Sequence, residues 1–145
     1  MSISVAVPEA EAAELRRRGR TPPAPVPVLA LIDTGTGRTV LQRGIARSLG
    51  LTPVGAVEID TPSTADVESL EFEVCLEFPG GAMIPTRVLE AEMPVKGIRV
   101  LLGREVLSRG VLIYDGRAGR FSLDLSLGEN TTEESVGPGG RSTPG

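Results

Sequence analysis

Residues 68–78 constrain the fold more than any other stretch of this chain. Leu70, Phe72, Val74, Leu76 and Phe78 alternate with Glu71, Glu73, Cys75 and Glu77. Successive side chains of a strand point to opposite faces, so the pattern predicts a strand over Glu68–Phe78 with one buried and one wet face. Such a face must be covered by other elements. The chain offers them as short apolar runs: Ser2–Val7, Val28–Ile32, Val54–Asp60, Met83–Ala91 and Ile98–Leu102. A hairpin of Val111–Tyr114 and Arg120–Leu125 follows, joined through Asp115, Gly116 and Gly119. Pro79–Gly81 reads as a turn. With 18 Gly and 12 Pro in 145 residues, the composition suits short strands and many turns better than a helix bundle. Three Phe, one Tyr and no Trp leave the core to aliphatic side chains.

Val28–Ile32 is apolar at every position and reads as a central strand buried on both faces. Before it, Arg20–Pro27 is a proline-rich connector. Pro8–Arg18 reads as a helix, with Pro8 at its start, Glu9 and Glu11 in the first turn, Arg16–Arg18 in the last and Gly19 beyond. Its apolar face, Ala10, Ala13 and Leu15, is thin and places it on the surface. Thr39–Leu49 reads as a second helix, with Leu41, Ile45 and Leu49 on one face and Gly50 to end it. Gly44 inside it costs about 1 kcal/mol relative to Ala. Arg104–Ser108 reads as a short third helix. From Glu129 the chain is polar and Gly- and Pro-rich, which predicts a disordered tail over 129–145 and one domain over 1–128.

Composition also prunes function. The chain has no histidine, which removes Ser-His-Asp and Cys-His nucleophilic machinery and the usual zinc sites. Acid-base chemistry then falls most economically to carboxylates; no cofactor and no metal are expected. A formal charge of −4, and no basic run longer than Arg16–Arg18, argue against a nucleic-acid partner. No stretch approaches the roughly 20 apolar residues of a membrane span. Residues 1–11 lack the features of a secretory signal, and the lone Cys75 forms no internal disulfide, so the expected location is cytoplasmic. Without such a signal the acceptor pattern at Asn130–Thr132 carries no weight.

One charged residue stands at the end of an apolar strand: Asp33, in Leu31-Ile32-Asp33-Thr34-Gly35-Thr36. An isolated buried carboxylate is costly and needs a reason. It has two readings. Asp-Thr-Gly is good turn and helix-capping chemistry. Alternatively, Asp33 is a reactive carboxylate. Its setting favours the second: a later apolar strand ends in Leu101-Leu102-Gly103-Arg104, and a hairpin, Val54–Phe78, lies between. Gly35–Thr39 shares glycines with a phosphate loop but lacks its Lys and its spacing. Asp60, Asp66 and Asp115 read as solvated turn residues, and Cys75 as structural or incidental.

In these motifs, over roughly Val26–Leu125, the chain resembles the retropepsin-like aspartic proteases, and most of all their bacterial single-lobe members. The resemblance implies an all-β fold with short helices: a single-lobe, pepsin-like closed β-barrel that works as a homodimer. It implies an endopeptidase in which two Asp33 carboxylates, one per subunit, share a proton and activate a water. Only one such motif exists, so a twofold dimer must supply the pair. Thr34 would brace the two loops, Gly35 would offer its N–H to the carboxylate, and Thr36 would complete the loop. Thr61, Pro62, Ser63, Thr64 and Ala65 would form the tip of a flap over an extended peptide or protein substrate. Arg104 would make a structural ion pair. The chain departs from the family pattern at Thr36, where Ala or Ser is usual, at Gly37, where Ser or Asp is usual, and at Glu105, where Asp is usual. Two other readings stand beside this one: a dimeric peptide-binding module on the same fold without useful turnover, and a monomeric β-rich interaction domain.

Overall fold

The computed structural model describes residues 1–61 and 64–125. The alternating stretch forms the longest strand, β5 (Thr64–Glu77), and buries Phe72, Val74 and Leu76 on its inner face. Around it lie β1 (Ser2–Ala6), β2 (Val26–Ile32), β3 (Val40–Gln42), β4 (Gly55–Thr61), β6 (Met83–Ala91) and β7 (Val100–Leu102). The pairing runs β1-β2-β7-β3-β6-β5 and returns from β5 to β1, which closes a six-stranded barrel; β4 is added outside β5. Closure leaves these six strands without a free edge. The fold is therefore mostly β with a few short helices. The chain divides into two compact units, Met1–Arg104 and Glu105–Gly145. The second unit contains a separate two-stranded sheet, β8 (Val111–Asp115) with β9 (Arg120–Asp124).

The barrel core is aliphatic, as composition requires. Ile3, Val5, Leu41, Phe72, Val74, Leu76, Val88, Val100 and Leu102 are buried. The N-terminal strand is an integral stave: Ser4 and Val5 stand opposite Pro27 and Val26 on one side and opposite Glu77 and Leu76 on the other. The Met1 ammonium donates to the Ala30 carbonyl at 2.8 Å, and Ala30 N–H donates back to the Met1 carbonyl at 2.8 Å. Helix α1 (Glu9–Arg17) keeps acidic residues in its first turn and basic ones in its last. Its buried contact is Ala12, not the Ala10, Ala13 and Leu15 face. Glu14 takes both Arg17 and Arg18, exposed pairs that contribute little.

Two expectations are corrected. Val28–Ile32 is not buried on both faces. Val28 and Ala30 face the core, whereas Leu29 and Leu31 are 45% and 42% exposed. The barrel is one layer thick, so a strand with apolar residues on both faces leaves one of them outside. The helix read over Thr39–Leu49 is a strand and one turn of helix: β3, then α2 (Ile45–Ser48). Gly44 between them takes a left-handed φ of 96°, which a helix interior does not allow. Val40 and Leu41 instead pair with Leu101 and Val100 of β7 and with Leu89 and Glu90 of β6. The burial behind the helical reading is still met: Leu41, Ile45 and Leu49 are all in the core.

The remaining elements follow their local signals. Gly50 ends α2 with a φ of 77°. Gly80 and Gly81, also at positive φ, make the turn from β5 to β6. α3 (Arg104–Leu107) is a single turn. Asp115 accepts the N–H groups of Arg117 and Ala118, each at 3.1 Å, which shapes the β8–β9 turn. The tail 129–145 lies outside the described residues. Among the described residues no helix is long and apolar enough to cross a membrane.

Candidate active site

β7 is the keel of the site. It pairs in parallel with β2 (Ile32 opposite Leu102) and antiparallel with β3 (Val40 opposite Leu101). The chain leaving β2 must therefore cross the end of β7 to reach β3, and residues 33–39 make that crossing. Asp33 is its first residue, with its N–H donating to the Leu102 carbonyl at 3.0 Å. A carboxylate thus follows directly from the last bond of a rigid sheet.

Within the loop the backbone turns back on Asp33. Gly35 N–H donates to Asp33 Oδ1 at 2.9 Å, the contact expected of that glycine. Among the described residues, no partner stands against Oδ2. Thr36 Oγ1 donates to the Arg38 carbonyl at 3.0 Å and closes the far side of the loop. Thr34 is exposed, and its carbonyl is held by Arg104. Asp33, Thr34, Gly35 and Thr36 thus fall together on one short loop.

Gly103 and Arg104 fasten this loop from below. A Cβ on Gly103 would stand 2.6 Å from the Arg38 carbonyl carbon and oxygen and 3.0 Å from the Thr39 nitrogen, so only glycine lets the loop cross here. Gly103 N–H donates to the fully buried Thr39 hydroxyl at 3.1 Å. Arg104 N–H donates to the Thr36 carbonyl at 2.9 Å, and its guanidinium donates to the Thr34 carbonyl at 2.8 Å. Arg104 therefore grips loop carbonyls, whereas an ion pair was expected; none forms among the described residues. A Cβ on Gly37 would lie 3.5 Å from Arg104 Nη2.

Two features of the site were not singled out from the sequence. Arg38, at the loop's end, pairs with Glu71 of β5 at 2.7 Å and reaches the Arg87 carbonyl at 3.2 Å. That pair ties the Asp33 loop to the base of the β4–β5 hairpin. The second is an aliphatic strip on the outer barrel face. Leu31 stands opposite Leu101, which stands opposite Val40; none of the three is buried. Strand parity would have placed these residues on one face, given the parallel register, which the sequence does not state.

The expected flap is the β4–β5 hairpin. Gly55 stands opposite Glu71, and pairing continues to Thr61 opposite Thr64, with a register shift between Ile59 and Thr61. Thr61, Thr64 and Ala65 are strand residues rather than a loose turn. Pro62 and Ser63 lie outside the described residues.

Comparison with known proteins is sparse. No protein-family model and no curated protein matches the chain. Among solved structures, the EIAV protease, in complex with the inhibitor HBY-793, aligns at a TM-score of 0.40 with 26% identity, over 58% of this chain and 75% of its own. At that TM-score the roles of individual residues rest on the geometry of the Asp33 loop.

Proposed function

We propose that this chain is an aspartic endopeptidase in which the Asp33 carboxylates of two identical subunits activate a water against a peptide bond. The observation that carries the reading is the placement of Asp33. It closes a barrel strand, one oxygen is fixed by Gly35 N–H, and the loop is clamped over Gly103 by Arg104. So much fixed backbone around one exposed-loop carboxylate suits catalysis, where a reacting group must be held within narrow limits. A turn or cap would not need it.

In this reading one Asp33 accepts a proton as the water oxygen bonds to the scissile carbonyl carbon. The other Asp33 donates a proton to the carbonyl oxygen. Collapse of the tetrahedral adduct then breaks the C–N bond, and the leaving nitrogen takes a proton. A second copy is required because a lone carboxylate cannot be acid and base in the same step. Thr34 would brace the paired loops. The β4–β5 hairpin, with Thr61–Ala65 at its tip, would cover an extended peptide and exclude water. The strip of Leu31, Leu101 and Val40 near the loop favours aliphatic side chains beside the scissile bond. The reading takes 1–128 as the working domain and the cytoplasm as its place of action.

Digestion of a peptide library at pH 3–8 by wild type and Asp33→Asn, each at a concentration where sedimentation shows dimer, tests this. Cleavage that disappears in the variant is expected. A well-formed wild-type dimer that cleaves nothing across that range would replace the enzyme with a peptide-binding module on the same fold.

A further inference from the structure

Arg104 holds the Asp33 loop without meeting a carboxylate. Arg38 pairs with Glu71, Arg43 with Glu92 and Arg87 with Glu73. Arg104 has no such partner among the described residues. Its side chain is nevertheless fixed, because Nη1 donates to the Thr34 carbonyl at 2.8 Å. The other terminal nitrogen, Nη2, faces residue 37, which is glycine. A Cβ there would make ordinary contact with Nη2 at 3.5 Å and, chain neighbours aside, would meet no other described atom within 4 Å. Gly37 is not at positive φ, so its backbone does not demand glycine. What the glycine leaves is room beside a cation.

The chemistry of that space is specific. A guanidinium presents its N–H donors in a planar fork that matches a carboxylate, and only the Nη1 side of this one is used. Gly37 N–H also has no acceptor among the described residues. Hydrogen bonds from a charged donor to a carboxylate are among the strong ones. Because Thr34 already holds the side chain, binding costs less ordering than a loose surface arginine would lose. We propose that Arg104 and Gly37 form a receptor for an acidic side chain of the bound peptide, so that the enzyme selects Glu or Asp at a set distance from the scissile bond.

The inference deepens the proposed function and rests on it. Gly37 lies four residues beyond Asp33 on the same loop, so a peptide laid across Asp33 runs past the receptor. The strip of Leu31, Leu101 and Val40 takes aliphatic side chains beside the bond, and Arg104 takes an acid farther out. In a twofold dimer the receptor occurs twice, once on each side of the scissile bond.

Extended peptides of Leu, Val, Ala and Ser, blocked at both ends and carrying one Glu moved along the sequence, test the receptor at about pH 6, where Glu is ionised. Each is compared with its Gln twin. Wild type is expected to show kcat/KM about 10-fold higher for Glu than for Gln at one position on each side of the scissile bond. Gly37→Asp gives Arg104 a carboxylate of its own and is expected to bring that ratio to about 1 or below. Arg104→Gln removes the charge, keeps the backbone bond to the Thr36 carbonyl, and is expected to do the same. Gln peptides with a free C-terminus ask whether a chain end serves instead; a preference confined to them would overturn the side-chain assignment. Cleavage with no preference for Glu at any position, or a preference that survives both substitutions, would overturn the receptor and leave the enzyme standing. If wild type cleaves nothing, the enzyme reading fails, and fluorescence anisotropy with the same labelled peptide pairs decides the receptor. Binding of a Glu peptide about 10-fold tighter than its Gln twin, lost in Gly37→Asp, would sustain it, and equal binding would overturn it.

Discussion

Gly103 has no space for a side chain, and the atoms it would strike belong to backbone. Arg38 and Thr39 cannot swing aside as a flexible side chain could. Gly103→Ala is therefore expected to destabilise the fold by about 1–3 kcal/mol in urea denaturation. In the proposed enzyme it is also expected to reduce peptidase activity by more than the loss of folded protein, since the loop it displaces begins at Asp33. The sequence offered Gly103 as the end of an apolar strand, and Asp33 as a charge where none is cheap. Both were legible because each breaks a local rule. The hold of Arg104 on the Thr34 and Thr36 carbonyls was not, because backbone carbonyls carry no residue-type signal.

Cys75 gives a pH dependence. It lies on the formally polar face of β5, yet β1 covers it: Ala6 is its direct neighbour across the sheet. Burial, then the charges of Glu77 and Glu9, push its thiol above the ordinary value of 9.0. The folded state thus holds the proton more tightly than the unfolded chain. Its contribution is complete below pH 9 and is lost as pH rises through the folded value. Thermal melting between pH 8 and pH 11 is expected to show a smaller decline for Cys75→Ala than for wild type; parallel declines would mean that the thiol is not the group responsible.

At the scale of elements, strands with one apolar face were read close to their observed limits. Segments whose partners lie far away in sequence were not. Residues 39–49 have a helical spacing of Leu41, Ile45 and Leu49, but Val40 and Leu41 gain sheet bonds on both sides, and Gly44 reverses the chain before a helix can propagate. Tertiary pairing outweighs the weak local preference there. The Arg38–Glu71 contact is likewise long-range. Gly55 makes it possible, since a Cβ there would sit 2.7 Å from Glu71 Oε1. The Glu71 side chain is 12% exposed, so this pair is shielded more than the surface pairs of α1. Glu71→Ala is expected to cost about 1–2 kcal/mol in urea denaturation, toward the low end because Arg38 keeps other contacts. Loss of the brace frees the base of the β4–β5 hairpin, so in the proposed enzyme KM for peptide is expected to rise more than kcat falls. Equal effects on both would confine Glu71 to stability.

For the molecule as a whole, barrel closure depends on β1 meeting β5 some seventy residues later, a contact that neither run of residues announces. What the sequence does announce is a count: one Asp-Thr-Gly in 145 residues, where the proposed chemistry needs two carboxylates. The count can be tested without any structural probe. If each site takes Asp33 from two subunits, Asp33→Asn chains that exchange with wild type will spoil sites beyond those they form alone. With equal amounts of the two chains, random pairing leaves a quarter of the dimers with both carboxylates, while the total number of dimers doubles. Activity per wild-type subunit should then fall to about half. Excess variant should abolish it in proportion to the wild-type fraction. Activity unchanged by added Asp33→Asn, once subunit exchange has been verified, would place a complete site in each subunit and remove the reason for a two-carboxylate mechanism.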